Sequence, residues 1–272
     1  MSTDQLSRRS MLAVSSLLGL APAALAMQPG SGTKGAEPAV SFEHFPRQNP
    51  DLVRDMVGAS HGNLARVREL VTRHPTLAKG AWDWGFGDWE SALGAASHVG
   101  NREIAMLLIE HGARPDLFTF AMLGDLASVR AMIEARPGIQ RIPGPHGIPL
   151  LDHARAGGDA AKGVYEYLLS LKDAGEGPKS EPLSEGEMQR LVGSYAGTGS
   201  AAGVLIEIKI DKGALHLQRK PQPARRLFHL GNGEFYPTGA PQVRIVFAAG
   251  MNGPGTLTVR DHDVVLTAVA SS

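Results

Sequence analysis

Apolar residues follow a helical period in the first half of the chain. Ile104, Leu107 and Leu108 have the i, i+3, i+4 spacing that places side chains on one face of a helix. Gly112 follows this stripe, and a glycine ends a helix in the left-handed conformation at little cost. Gly100 precedes the stripe and marks a turn after an earlier helix. The pattern therefore predicts two short helices joined by a tight turn.

The segment that contains this stripe resembles an ankyrin repeat. Residues 91–116 read SALGAASHVGNREIAMLLIEHGARPD, whereas the family pattern is roughly T-P-L-H-x-A-A-x-x-G followed by a helix ending L-L-x-x-G-A-x-P-D. The departures are Ser91-Ala92, where the family has Thr-Pro, and Gly94, where it has histidine. The resemblance implies a solenoid that recognises other proteins and catalyses no reaction.

One repeat cannot bury its own apolar face, so similar units are expected on both sides of this segment. The turn glycines Gly62, Gly100, Gly124 and Gly158 mark four units, at spacings of 38, 24 and 34 residues. A regular ankyrin period is about 33 residues. The spacing predicts an irregular array of about four helical pairs over 48–172, with an insertion in the first gap and no β-finger in the second.

The pattern changes to a period of two in the last third of the chain. Ser184 and Glu187 have the capping-box spacing, which predicts a short helix over 183–191. Alternating runs separated by Gly, Asn and Pro follow at 204–210, 214–218, 226–230, 234–236, 243–248, 256–260 and 264–268. Such runs predict an antiparallel sheet, curled or closed into a small barrel. The predicted fold class is a multi-domain protein, an all-α ankyrin-repeat solenoid followed by a small all-β domain.

Three short motifs in this part resemble a known accessory module. They are LVGSY at 191–195, GEFY at 233–236 and VRIVF at 243–247. They are similar to the small β-domain at the C-terminal end of many exported serine β-lactamase-like hydrolases. The resemblance covers about 80 residues. It implies an accessory role for this domain, and the hydrolase that such domains accompany is absent from the sequence.

The chain begins with the layout of a cleavable export signal. Arg8 and Arg9 precede an uncharged apolar run over 13–25 that ends in an A-x-A site. The twin arginine followed by Met-Leu resembles the twin-arginine signal, which carries folded cargo, and an ordinary Sec signal is the alternative. We predict cleavage after Ala26 and a mature protein in the periplasm or outside the cell.

The domain boundaries follow from these changes in composition. They are a signal peptide at 1–26, a flexible tether at 27–47, an ankyrin-repeat domain at 48–172, a linker at 173–183 and a β-rich accessory domain at 184–272.

Composition excludes several classes of function. Without Asp4, Arg8 and Arg9 of the signal, the chain has 25 basic and 26 acidic residues, which gives no electrostatic case for binding nucleic acid. The apolar run of the signal is too short for a comfortable membrane span, and the absence of cysteine excludes a disulfide framework. The oligomeric state does not follow from the sequence.

Two short motifs match catalytic sequence patterns, but neither has the structural surroundings that its pattern requires. Gly58-Ala-Ser60-His-Gly62 fits the G-x-S-x-G elbow, which needs a strand before it, but the helical pattern puts it at a helix end. Ser31 and Lys34 fit S-x-x-K but lie in the predicted tether, with no K-T-G downstream. We therefore predict no catalytic residue and no enzymatic activity.

The ten histidines form no recognised metal-binding motif. Asp261-His262-Asp263 has the position of a hairpin tip. His61 and His98 lie near the turns of successive units and are expected to stack as partly buried hydrogen-bonding residues. The sequence therefore predicts no metal site and no cofactor.

All three tryptophans lie in the segment WDWGFGDW at 82–89. Glycines that alternate with aromatic residues suggest a tight hairpin, and tryptophan is enriched where binding energy concentrates. We predict that this hairpin binds a protein partner of unknown identity through Trp82, Asp83, Trp84, Phe86, Asp88 and Trp89. Stacked aromatics beside aspartates also suit a sugar or a cationic ligand. The alternative is that the rings cover the end of the helical array or pack on the β-domain.

The predicted function is protein–protein recognition in the cell envelope. The alternative is a small-molecule or sugar-binding protein that uses the C-terminal β-domain. A pocket lined by Leu205, Leu217, Phe228, Phe235 and Phe247 would favour that alternative, whereas a closed core built from these side chains would contradict it.

Overall fold

Among the residues that the structure describes, eight short α-helices precede the β-rich part of the chain. The computed structural model describes residues 47–220, 222–248 and 255–271, all within the compact unit Val40–Ser272. The predicted export signal, its cleavage site at Ala26 and most of the predicted tether lie outside the described residues. Within the described ranges, no helix has the length and apolar character needed to cross a membrane.

The helices are seven to ten residues long, and the two members of each successive pair are joined by a short connection. They are α1 (Pro50–Ala59), α2 (Leu64–Arg73), α3 (Ala92–His98), α4 (Arg102–Glu110), α5 (Leu117–Leu123), α6 (Leu126–Ala135), α7 (Leu150–Ala156) and α8 (Lys162–Leu171). Several begin at a polar residue that accepts a hydrogen bond from a backbone amide of the first turn, as Asn63, Asn101 and Asp125 do. A hairpin of β1 (Ala81–Asp83) and β2 (Trp89–Ser91) leads into α3.

The prediction of an ankyrin-repeat solenoid is wrong. Each repeat of a solenoid contacts only its neighbours, but α3 contacts α7 as well as α5. Gly100 permits this approach, because its φ is +75° and a Cβ there would lie 2.1 Å from the carbonyl oxygen of Ala156. Among the described helix connections, one carries a β-hairpin. The helices therefore pack without the constant repeat that the sequence resemblance implied.

A β-domain is present, as predicted, and it is a closed barrel. The capping box of Ser184 and Glu187 starts the short helix α9 (Glu185–Gln189), which confirms that prediction. The strands are β3 (Gly193–Gly197), β4 (Leu205–Asp211), β5 (Ala214–Gln218), β6 (Arg225–Gly231), β7 (Glu234–Pro237), β8 (Arg244–Ala248), β9 (Thr256–Asp261) and β10 (Asp263–Ser271). Consecutive strands pair antiparallel, and β10 pairs with β3 to close the barrel.

Alternate side chains of the strands fill the barrel with an apolar core. The buried members include Tyr195, Ile206, Ile208, Leu215, Leu227, Phe235, Val243, Ile245, Leu257 and Val259. The five residues predicted to line one ligand pocket have different surroundings, although the rings of Phe235 and Phe247 are in contact. Phe235 is buried in the core, Phe228 stacks on Tyr236 with ring centroids 5.1 Å apart, and Leu205 is half exposed.

The β1–β2 hairpin joins the helical part to the barrel. Phe86 at its tip packs against the barrel core, and Gln242 Nε2 donates a hydrogen bond of 2.9 Å to the Phe86 carbonyl oxygen. Arg225 Nη2 donates one of 2.6 Å to the carbonyl oxygen of Trp84. The hairpin is therefore held between two parts of the fold, and its second strand carries the site described next.

Candidate metal centre

Four side chains from distant parts of the sequence meet beside the hairpin. His61 follows α1, Glu90 is the central residue of β2, His98 ends α3, and His146 lies in the 3₁₀ turn Pro145–Gly147. Their ligand atoms all lie within 4.8 Å of one another. A group of three imidazoles and one carboxylate at this spacing is a candidate binding site for a metal ion.

The carboxylate of Glu90 is the centre of the group. Its side chain has 0% exposure, and its Oε1 lies 2.9 Å from His98 Nε2 and 3.3 Å from His146 Nε2. Its Oε2 lies 3.5 Å from His61 Nε2 and accepts a hydrogen bond of 2.8 Å from Trp84 Nε1. The Nε2 atoms of all three histidines therefore approach one buried carboxylate.

In two of the histidines, the ring nitrogen that does not face Glu90, Nδ1, makes a hydrogen bond that orients the ring. His61 Nδ1 lies 3.2 Å from the carbonyl oxygen of Val57, and a carbonyl oxygen can only accept. His146 Nδ1 lies 2.9 Å from Asp88 Oδ2. Since Nδ1 is the donor in both cases, each of these rings in its neutral form would present the lone pair of Nε2 to the group.

His146 occupies an unusual backbone conformation. Its φ of +59° lies in the left-handed region, which is uncommon for residues other than glycine. The backbone amide of His146 donates a hydrogen bond of 2.9 Å to Asp88 Oδ1, while the other oxygen of that carboxylate binds the ring. Asp88 thus holds both the backbone and the side chain of His146 in place.

Burial and the neighbouring side chains shift the pKa values of Glu90 and His146 in opposite directions. Burial alone would raise the pKa of Glu90, but the approach of His146 and His98 outweighs it and lowers that pKa to about 2. Burial alone would lower the pKa of His146, but Asp88 and Glu90 raise it to about 9. The site therefore keeps its carboxylate ionised and attracts positive charge.

Two buried atoms of the group have no hydrogen-bond partner. They are Glu90 Oε1 and His98 Nε2, which lie 2.9 Å apart. Zn²⁺ binds histidine nitrogen and carboxylate oxygen at about 2.0–2.2 Å, so two ligands of a tetrahedral ion lie about 3.3 Å apart. One or the other oxygen of Glu90 lies 2.9 to 3.5 Å from each of the three nitrogens, which is near that spacing, and the ligand atoms of the group all lie within 4.8 Å of one another. The residues present therefore fit a transition-metal ion.

Asp88 and Arg225 form a second layer around the group. Asp88 is 3% exposed and lies 3.3 Å from Arg225 Nη1. A carboxylate that accepts from the far nitrogen of a metal-binding histidine fixes the orientation of the ring and raises its basicity. Burial alone would raise the pKa of Asp88, but the hydrogen bonds from the ring and the backbone amide of His146, together with the charge of Arg225, outweigh it and lower that pKa.

Substitution Asp88→Asn is expected to weaken zinc binding by about 10–100-fold, the usual effect of losing such a second-layer carboxylate. Asparagine keeps an acceptor for the His146 amide but removes the negative charge beside the ring. Zinc titration of the two proteins by calorimetry measures the ratio of dissociation constants. An unchanged constant would show that Asp88 has no influence on the ion.

The group is accessible from one side. A cavity of about 420 Å³ is lined by His61, Trp84, His146, Arg225 and Arg226, together with Asp88, His216, Pro223, Ala224 and Thr238. The side chains of His61 and His146 are 33% and 25% exposed, whereas Glu90 is fully covered. An ion at this site is therefore approached from the cavity over the histidines.

The six residues predicted to bind a partner have different surroundings. Trp82 packs against the helical core and Phe86 packs against the barrel core. Asp83 Oδ1 accepts hydrogen bonds from the amides of Gly85 and Gly87, and Trp84 Nε1 donates one to Glu90. Asp88 contacts the ring of His146, and Trp89 is exposed. The exposed fraction of Trp89 is 61%. Partner binding by this hairpin stays a prediction.

Other residues that the sequence singled out lie outside the group. The hydroxyl of Ser60 donates a hydrogen bond of 2.7 Å to the Met56 carbonyl oxygen. His262 is 97% exposed at the turn between β9 and β10. Ser31 and Lys34 lie outside the described residues.

Sequence reasoning missed the group as a whole. The rings of His61 and His98 make an edge-to-face contact with centroids 4.9 Å apart, and their position near successive turns was the one available indication. Glu90 and His146 carry no such indication, because the fold alone brings them to the other two residues.

Comparison with protein family models, curated proteins and solved structures finds no match to the chain. The function is therefore argued from the geometry and chemistry of the site.

Proposed function

We propose that this protein binds a divalent transition-metal ion through His61, Glu90, His98 and His146, with zinc as the ion to test first. One observation carries the proposal: a fully buried carboxylate faces the Nε2 atoms of three histidines at 2.9 to 3.5 Å. Imidazole nitrogen with carboxylate oxygen is a ligand set that zinc and its neighbours in the first transition row accept.

The electrostatics of the group favour a positive charge among its ligand atoms, which protonation of His146 or a bound metal ion would supply. If His61 and His146 are neutral with the proton on Nδ1, their Nε2 lone pairs point at the oxygens of Glu90, which is repulsive. If all three are protonated, like charges meet at ring separations of 4.9 and 5.5 Å, which also costs free energy. A bound cation satisfies the lone pairs and the carboxylate together, and it provides a partner for the two buried atoms that otherwise lack one.

The ion would connect parts of the fold that are distant in sequence. Its ligands come from the end of α1, from β2, from the end of α3 and from the turn before α7. Because such a site is assembled only in the folded chain, its binding free energy adds to the free energy of unfolding. The cavity beside His61 and His146 leaves room for a further small ligand on the ion.

Replacing His61 with alanine is expected to weaken zinc binding by more than about 100-fold, since removing a ligand exceeds the effect of second-layer changes. His111→Ala is the matched control. His111 Nδ1 also binds the carbonyl oxygen four residues earlier, at 2.8 Å, but His111 is not part of the group. Calorimetric titration of chelator-treated proteins gives both affinities. Equal affinities in the two variants would contradict the proposal.

Recognition of a protein partner in the cell envelope remains a second proposal. The exposure of Trp89 on the hairpin favours it, since a large aromatic side chain in solvent is a common anchor at interfaces. A Trp89→Ala variant that loses a partner while keeping its zinc affinity would separate this role from metal binding.

A further inference from the structure

A second cavity, of about 380 Å³, lies at one end of the barrel beneath the tip of the hairpin. Its walls come from the strands and include Val204, Ile206, Leu217, Ile245 and Val259, with Val265, Leu266, Ala201, Pro223 and Pro237 also in contact. Trp84 and Phe86 line it from the side of the hairpin. The volume falls within the range of about 300–1,000 Å³ that is usual for small-molecule sites.

The cavity exists because the barrel is filled unevenly. Large rings occupy the interior around Phe235, which contacts Phe247 at a centroid distance of 5.4 Å, and Phe247 in turn contacts Tyr195 at 5.8 Å. The side chains that line the cavity are mostly aliphatic and smaller. An eight-stranded barrel is just wide enough either to be filled by side chains or to hold one small ligand. Here one end has space for a ligand.

The charges around the cavity have one sign. Its lining contains Arg219 and Arg225 and no acidic residue. Arg225 is already engaged by Asp88 and by the carbonyl oxygens of Trp84 and Thr238. The Arg219 side chain is exposed, and among the described residues its guanidinium has no carboxylate or hydrogen-bond partner. A free cation at the edge of an apolar cavity complements an anionic group.

From this arrangement we infer that the end of the barrel binds a small apolar molecule that carries one anionic group. The apolar body lies among Val204, Leu217 and Val259, where water is replaced by aliphatic contacts. The carboxylate, sulfonate or phosphate group lies at Arg219. This site is separate from the metal ligands, none of which lines the cavity.

Two related probes test the inference. 1-Anilinonaphthalene-8-sulfonate has an apolar body and one sulfonate, whereas N-phenyl-1-naphthylamine is nearly the same molecule without the charge. Fluorescence titration of the full chain is expected to show one site for the sulfonate. Arg219→Glu is expected to weaken its binding by about tenfold or more, the effect of losing one charged hydrogen bond. The same substitution leaves binding of the uncharged probe unchanged.

Two further variants complete the test. Arg190→Glu inverts an exposed arginine outside the cavity lining and should leave both affinities unchanged. Leu217→Trp adds bulk inside the cavity and should weaken both probes. Absence of sulfonate binding to the unmodified protein, or equal binding by the Arg219→Glu variant, would overturn the inference. If Leu217→Trp proves unstable, the Arg219 and Arg190 pair decides the outcome.

Discussion

The variant Glu90→Gln is expected to lose zinc binding and, with it, the thermal stabilisation that zinc gives the unmodified protein. Glutamine has nearly the same shape, but its neutral amide is a poor metal ligand and removes the one negative charge that faces the three imidazoles. Free zinc at about 100 times the dissociation constant stabilises a protein by about 2.7 kcal/mol. For a chain of this size that corresponds to a rise in melting temperature of about 5–10 °C. Calorimetric scans with and without zinc should show this rise in the unmodified protein and not in the variant.

Glu103→Gln is the control for this experiment. Glu103 is an exposed glutamate on α4 that lies 3.7 Å from Arg68 and is not part of the metal group. Its variant should keep the whole zinc-dependent rise. If Glu90→Gln keeps the rise as well, the ion binds elsewhere and the proposed ligand set is wrong.

The variant Gly100→Ala is expected to lower the free energy of unfolding by about 2–5 kcal/mol. The left-handed φ of +75° costs an alanine about 1–2 kcal/mol, and overpacking adds about 1–3 kcal/mol. The overpacking arises because a Cβ there would lie 2.1 Å from the backbone oxygen of Ala156, so that α3 and α7 would have to separate. Urea denaturation measures the change. It tests the contact by which the helices depart from a regular solenoid.

Gly58→Ala is a second glycine substitution in the same protein, and we expect it to have the opposite effect on the free energy of unfolding. Gly58 lies inside α1, and a Cβ there would meet nothing within 4 Å. Alanine at that position should raise the free energy of unfolding by about 0.5–1 kcal/mol, because glycine is a poor helix former. A loss of less than about 1 kcal/mol in Gly100→Ala would mean that the close approach of α3 and α7 is absent in solution.

Local features of the fold were predictable from the sequence. The stripe of Ile104 and Leu108 does lie buried on α4, and the capping box at Ser184 does start a helix. The hairpin around the tryptophans and the alternating strands after residue 204 also formed as local pattern predicts. These features depend on residues within one or two turns or one strand of each other, which is the range that hydrophobic periodicity reports.

The arrangement of these elements was not predictable in the same way. The contact of α3 with α7 depends on the close approach of Gly100 to Ala156, which are separated by 56 residues. The metal group depends on the same kind of long-range placement, since His146 reaches Glu90 only through the turn before α7. No spacing motif exists for ligands that the tertiary structure assembles. Family resemblance therefore gave a correct description of single helices and a wrong one of their packing.

We propose that one metal ion is bound by His61, Glu90, His98 and His146 together. X-ray diffraction from zinc-loaded crystals, with data on both sides of the zinc absorption edge, tests it most directly. We expect one strong anomalous peak about 2.0–2.2 Å from the three Nε2 atoms and from a Glu90 carboxylate oxygen. An anomalous map without a peak among these four side chains, at a zinc concentration that saturates the protein, would contradict it.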